Sequence, residues 1–251
     1  MHTYVLFLLF AAVAVYAQVL TGFALALIFL GLIGATDLVP LPDAVNAVTV
    51  IIIINSCIFL YRRRALHLNR EIWAALLTSL AGAVVGIALL TWLAGNSYQV
   101  LRIVLGVSII LCALLLWHTA KPLQNTSGQG TFLSAGSLAG ILGGMFSAPG
   151  PPLVYIMYRQ PWPISRIQES LIFLFGAGSV LRLIIVAFSG QFTMESTRLT
   201  LIAAPVVILV TWVAAHQKVP FSPQIMKSIV SVLLIASGVT MCVSALHILM
   251  H

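Results

Sequence analysis

The sequence predicts an all-α polytopic membrane protein of eight transmembrane helices, built as two related four-helix halves with a broken Gly/Pro-rich helix in the second half. Three observations carry this. First, of 251 residues 61% are apolar and 7% charged, with a mean hydropathy of +1.12, whereas roughly a quarter of a soluble domain's residues are charged. Second, uncharged runs of the length that crosses a bilayer, about 20 residues, fill nearly the whole chain. Third, short motifs recur at an offset near 120 on either side of a polar midpoint. Together these exclude a soluble enzyme, a nucleic-acid binder and a secreted module. The net charge of +7 comes from Lys and Arg spread among the apolar runs, the distribution of membrane-edge markers rather than of a nucleic-acid footprint.

The first span is read at 3–34. As one helix it would measure about 48 Å against a hydrocarbon core of about 30 Å, so it must tilt, project or break, and Gly22 is the candidate break point. Residues 1–17 contain an apolar core and a Val-Tyr-Ala step, but no Lys or Arg precedes it and the run continues to Ile33. It therefore reads as part of the span, not as a cleaved signal peptide. The second span, 43–61, ends at the basic loop of Arg62, Arg63, Arg64 and Arg70, which the positive-inside rule makes cytoplasmic. The third and fourth spans are 72–94 and 98–118. The linker 121–130, KPLQNTSGQG, has loop composition and separates a first repeat, 1–120, from a second, 131–251. The second contains spans at 132–158, 165–189, 196–216 and 224–249.

The repeat rests on several matches in order. Thr91-Trp92-Leu93-Ala94 aligns with Thr211-Trp212-Val213-Ala214, Pro40-x-Pro42 with Pro161-x-Pro163, Gly22 with Gly143, and, after a further shift of about five residues, Arg102 with Lys227. Eight crossings in parallel halves put both termini inside. They also leave Arg159, Arg166, Lys218 and Lys227 on the outer side, against the charge rule. Either an odd number of crossings precedes residue 132 and inverts the second half, or those bases form an anion entrance.

The segment Gly136 to Pro152, GSLAGILGGMFSAPGPP, cannot be one regular helix, because proline removes a donor and clashes with the preceding turn. Its backbone should open at Ala148-Pro149-Gly150-Pro151-Pro152, with Ser147 beside the break. In lipid, open backbone is tolerated only inside protein or along a wet cavity, and a half-helix N-terminus there presents donors and a positive dipole end to an anion. Gly136, Gly140 and Gly144 also form a small-xxx-small ridge suited to close helix packing. Asn55, about 10 Å inside the cytoplasmic edge, needs a partner, either substrate or a neighbouring helix. Asn46 lies half a helical revolution away and faces elsewhere. Arg166 either pairs with Glu169 at i, i+3 or binds an oxyanion with its planar fork. Arg182 is positioned to snorkel to the far interface or to line the pathway.

The run of Gly136, Gly140, Gly143 and Gly144 leading to Gly150-Pro151-Pro152-Leu153, then an aromatic-rich stretch and Arg166, resembles the TauE/SafE sulfite-exporter family. In the first half, Gly22-Phe23 is followed by Ala24-Leu25-Ala26-Leu27, without the family's further glycines. The resemblance implies a multi-pass prokaryotic inner-membrane transporter of sulfur-containing anions such as sulfite or organosulfonates. The residues then expected to bind substrate are Gly22, Asn55, Gly144, Ser147, Pro149, Gly150, Pro151, Arg166, Gln168 and Arg182.

Cys57, Cys112 and Cys242 lie in apolar stretches without CxxC or metal-ligand spacing. The tryptophans sit toward span ends as anchors. No Walker A, HExxH, GxSxG or paired intramembrane aspartates are present, so no cofactor is expected and the reading is secondary transport, with export the favoured direction. The alternatives are a carrier of another small anion, an intramembrane enzyme using Ser147, or a haem-binding subunit using His118, His216 or His247. The expected partners are the anion, the lipid bilayer and a second copy in a homodimer, with no nucleic acid.

Overall fold

The computed structural model describes residues 2–63, 69–117, 123–148, 150–216 and 223–250, and all regular structure among them is helical. In chain order the helices are α1 His2–Thr21, α2 Leu25–Thr36, α3 Leu41–Arg63, α4 Arg70–Asn96, α5 Tyr98–Trp117, α6 Gln129–Phe146, α7 Gly150–Arg159, α8 Ile164–Phe188, α9 Met194–His216 and α10 Pro223–Met250. An all-helical answer follows from the apolar surroundings, in which each backbone donor must be satisfied within its own segment. The outward faces carry Leu77, Val84, Trp92 and Leu209, all exposed apolar residues that lipid rather than water would cover.

Six of the described helices are long and apolar enough to cross a membrane: Thr3–Thr21, Leu41–Arg62, Arg70–Asn96, Tyr98–Leu115, Ile164–Phe188 and Met194–Ala214. Leu25–Thr36 and Ser231–Leu246 are shorter apolar helices. Two of the eight expected spans are interrupted. The expected 3–34 is α1 plus α2, and the expected 132–158 is α6 plus α7.

Both interruptions reverse the chain. In an unbroken helix Phe7 and Phe29 would sit about 33 Å apart, yet their rings meet edge-on at 5.1 Å. Phe132 and Trp162 stack at 6.0 Å, and Ser127 and Gln160 exchange two hydrogen bonds of 3.0 Å. The reversals occur at residues in the left-handed region, Gly22 (φ +85°) in the first, Ser147 (φ +54°) and Gly150 (φ +50°) in the second. Gly22 therefore breaks its helix without the additional glycines of the family pattern. A left-handed residue costs glycine little.

Contacts fix the helix directions. Asn46 meets Ser196 and Asn55 meets Thr211, so α3 and α9 run parallel. Asn46 meets Arg182 and Ser56 meets Ile172, so α3 and α8 run antiparallel. Along α4 and α6, Gly136 lies on Ala75, Gly140 on Ser79 and Gly144 on Ala83, a parallel pair. Arg102 reaches Ser244 and Gly106 lies against Cys242, so α5 and α10 are antiparallel.

The antiparallel α3 and α8 depart from the parallel-half arrangement, in which these two helices would run the same way. The physical reason is the pair of reversals: each broken segment returns to the end of the bundle it came from. One end of the bundle consequently carries Arg62, Arg70, Arg159 and Arg166, and the other carries Asp37, Asp43 and Glu195. At that acidic end Arg102 pairs with Asp37 at 2.9 Å and Arg198 with Glu195 at 3.7 Å. Of the bases that opposed the charge rule, Arg159 and Arg166 thus share an end with Arg62 and Arg70, and Lys218 lies outside the described residues.

Candidate functional site

The site forms where the second reversal meets α3 and α8. Ser147 ends α6 in left-handed geometry, its N–H donating to the Gly143 carbonyl at 2.8 Å. Helix α7 starts at Gly150, and Pro151 and Pro152 occupy its first turn, where a missing N–H costs no helical hydrogen bond. The prolines thus restart the helix rather than hold it open. Pro149 lies outside the described residues.

Arg182 projects from α8 into this turn and is 1% exposed. Its Nε donates to the Gly144 carbonyl at 3.0 Å, and one terminal nitrogen donates to Asn46 Oδ1 at 3.2 Å and to Thr49 Oγ1 at 2.7 Å. Thr49 also shares a hydrogen bond with the Ser147 hydroxyl. The other terminal nitrogen, Nη2, is buried without a partner. Among the described residues the ion pairs are Arg102–Asp37 and Arg198–Glu195, so no carboxylate neutralises Arg182. A buried guanidinium of this kind carries a desolvation cost that neutral hydrogen bonds offset only in part. Its planar donor fork retains a free terminal nitrogen, a geometry suited to an oxyanion's acceptor oxygens.

Arg182 was expected at the far interface or along the pathway. It does not reach the interface, because α3 offers Asn46 and Thr49 and α6 offers its terminal carbonyl inside the bundle. Beside the turn, Ser79 of α4, Gly140, Gly143 and Ser147 of the α6 segment, and Ser179 of α8 line a crevice.

The other expected residues lie elsewhere. Gly22 and Gln168 meet at the first reversal, where Gln168 Nε2 donates to the Leu20 carbonyl and Tyr158 Oη donates to the Thr21 carbonyl at 2.6 Å. Asn55 is buried, accepts from Thr211 at 2.9 Å and leaves Nδ2 unpartnered; it faces α9, away from Arg182. Arg166 lies over the Trp162 ring at 4.4 Å, about 24 Å along α8 from Arg182, and forms no ion pair with Glu169. Gly144 contributes both its carbonyl to Arg182 and its bare Cα to the α4 contact.

Two partners of Arg182, Asn46 and Thr49, were not among the expected binding residues, nor was Asp43, which accepts from Thr193 and from Ser196 (2.9 Å). A signal for all three is present in the sequence. Asp43, Asn46 and Thr49 recur every third residue and form one polar stripe on an apolar helix.

These features define a multi-pass helical membrane protein with a buried cation at a helix turn that no carboxylate neutralises among the described residues. The chain matches the family described as Sulfite exporter TauE/SafE over residues 6–241. It is 32% identical over 232 residues to a protein of Cupriavidus necator named "Probable sulfite/organosulfonate exporter TauE", covering 92% of this chain and 90% of that one. No solved structure matches it. The chain belongs to the TauE/SafE sulfite exporter family.

Proposed function

We propose that this chain is a secondary transporter that exports small sulfur-containing oxyanions, sulfite or organosulfonates such as sulfoacetate, by alternating access between two inverted halves, 1–120 and 131–251, joined by 121–130. The single observation that carries the reading is the buried Arg182 at the α6–α7 turn, with an unpartnered Nη2 and no carboxylate partner among the described residues. The relative's name supplies the substrate class. In this arrangement α3, α4, α5, α8, α9 and α10 cross the bilayer, and α1–α2 and α6–α7 enter it from opposite faces and return. Counting each returning pair as one unit keeps four units per half. The basic end is cytoplasmic by the positive-inside rule.

Thr49 and Arg182 meet in the polar site, whereas Phe59 and Ile172 share a buried apolar cluster with Val19 and Ala214. That cluster supplies a dry barrier between the polar site and the basic end of the bundle.

Purified protein in liposomes, loaded with sulfite, thiosulfate, sulfoacetate, taurine or sulfate, tests this: at least one sulfur oxyanion is expected to exchange, and movement of none would refute the proposal. Arg166, at the cytoplasmic mouth and half-exposed, acts on approach. Arg166→Ala is therefore expected to slow uptake severalfold at low ionic strength and little at high salt, in place of the complete loss that direct binding would give. Flux assays across a salt series distinguish the two.

A further inference from the structure

Resting on the reading of Arg182 as the anion site, we infer that Asn46 is a positioning residue that couples this site to an outer gate: an oxyanion on Arg182 turns the Asn46 amide and so unlatches the corner between α8 and α9. The donor count on Arg182 leads there. A guanidinium has five N–H donors. Nε spends its one on the Gly144 carbonyl, Nη1 spends its two on Asn46 Oδ1 (3.2 Å) and Thr49 Oγ1 (2.7 Å), and Nη2 has no partner for either of its two. Fork-on-fork pairing with an oxyanion takes one proton from each of two nitrogens, so binding through Nη2 and a second nitrogen must displace a neutral partner. The bond to Asn46 is the longest of the three. Thr49 is also braced from behind: its own proton goes to the Val45 carbonyl at 2.7 Å, which leaves its oxygen to accept from Arg182 and Ser147.

Of these three partners, Asn46 is the one that also bonds the outer corner. Its Nδ2 donates to the Gln191 carbonyl at 3.0 Å and to Ser196 Oγ at 3.5 Å. Gln191 follows Gly190, whose φ of +70° turns the chain out of α8, and the Gln191 side chain accepts from Thr91 of α4 at 3.2 Å. Beside it Asp43 accepts from Thr193 and Ser196. Polar bonds thus hold the corner across the acidic-end side of Arg182, where the basic-end side has the dry cluster of Val19, Phe59, Ile172 and Ala214. An amide accepts at one end and donates at the other. Toward a guanidinium it presents Oδ1, which leaves Nδ2 for the Gln191 carbonyl. Toward an anion it presents Nδ2, which sets Oδ1 against that carbonyl, acceptor against acceptor, and the latch bond is lost. The anion therefore binds the unlatched state more tightly, and by linkage favours it to the same degree. An exporter gains from this order, because the outer path opens to a loaded site.

Thr200 reports on the gate. It lies on the Ser196 face of α9 one turn further in, is buried, and bonds within its own helix. Thr200→Cys, in a chain whose three native cysteines are replaced by alanine, is labelled from outside with a membrane-impermeant maleimide in right-side-out vesicles, with and without methanesulfonate on both sides. Methanesulfonate binding to the same purified protein is measured by titration calorimetry. With Asn46 in place, saturating methanesulfonate is expected to speed labelling at least about fivefold. Adding Asn46→Ala is expected to make labelling fast with or without the anion, and adding Arg182→Gln to keep it slow in both conditions. Methanesulfonate that binds but leaves labelling unchanged would overturn the coupling and leave the anion site standing, and that comparison needs no substitution at Asn46. Labelling of Asn46→Ala that stays slow, or still responds to the anion, would also overturn it. Absence of methanesulfonate binding with Asn46 and Arg182 both in place would overturn the underlying site instead.

Discussion

Arg182→Gln is expected to abolish transport while leaving a folded protein in the membrane. Removing one partner of a buried, hydrogen-bonded charge interaction costs about 2–5 kcal/mol of ligand binding, a loss of roughly 30-fold to several-thousandfold at about 1.4 kcal/mol per tenfold. The effect on ligand-free stability has a different size and cause. The guanidinium makes three hydrogen bonds, each worth about 1 kcal/mol net, but it also carries the cost of a buried charge without a counterion. Glutamine gives up the bonds and the charge together, so the melting temperature of the unliganded protein should change by only about a few degrees, and the stabilisation by added anion should vanish. Arg182→Lys keeps the charge without the planar fork and is expected to retain partial transport at weakened affinity. Scintillation flux in proteoliposomes and thermal unfolding with and without methanesulfonate read both quantities. If Arg182 merely capped α6, stability would fall steeply and the anion-dependent shift would survive in the folded fraction.

The second large effect concerns the α4–α6 contact. A Cβ at Gly140 would run into the backbone of Ser79, at Gly136 into Ala75 and at Gly144 into Ala83, while from the other side Gly82 and Gly86 lie against the backbone of α6 around Ser137 and Ile141. Backbone cannot rotate out of the way as a side chain can. Gly140→Val must therefore push the helices apart along their whole contact and surrender the close packing that holds helices together where no hydrophobic effect does. The cost is expected to reach or exceed the roughly 1–3 kcal/mol of ordinary overpacking. It should appear as little or no monodisperse protein in detergent size-exclusion and a fall in membrane abundance. Gly130→Ala and Gly95→Ala, whose added methyl groups meet nothing within 4 Å, are the matched controls and should behave as wild type. A well-folded Gly140→Val would mean that the two helices do not approach this closely. Gly144→Ala should lower transport more than stability, because the same displacement moves the carbonyl that orients Arg182.

The glycine ridge illustrates how much was legible beforehand. Its four-residue spacing identified a packing face, and the α4 partner then explained why each position lacks a side chain. The Gly/Pro break was equally legible, since proline's missing donor and ring clash act locally whatever surrounds them. The prolines' role was not: their place in the first turn of α7 depends on where the chain resumes its helix. Gly22 had only excess length to mark it, and excess length fits a tilt as well as a break.

Arg182 shows the limit from the other direction. By sequence it lies nine residues before Gln191, close enough to a span end for its long side chain to reach the interface. Which way it turns depends on Asn46 and Thr49, more than 130 residues away in the chain, and on a carbonyl that exists as a free acceptor only because α6 stops at Phe146. Gln168 and Gly22 likewise became neighbours only through the fold. Arg166, with the stronger motif context, was left at the basic end beside Trp162.

The sequence by itself determined the solvent of this protein, its helical class, the position of the second helix break and the family, because each depends on composition or on local covalent constraint. Only the tertiary structure decided that both broken segments turn back, that α3 and α8 therefore run in opposite directions, and that Arg182 rather than Arg166 sits uncompensated at a helix turn. Those are questions of which distant groups meet. In a chain with so few charges, the partner that a buried cation finds, or fails to find, is set by packing between helices that no local pattern encodes.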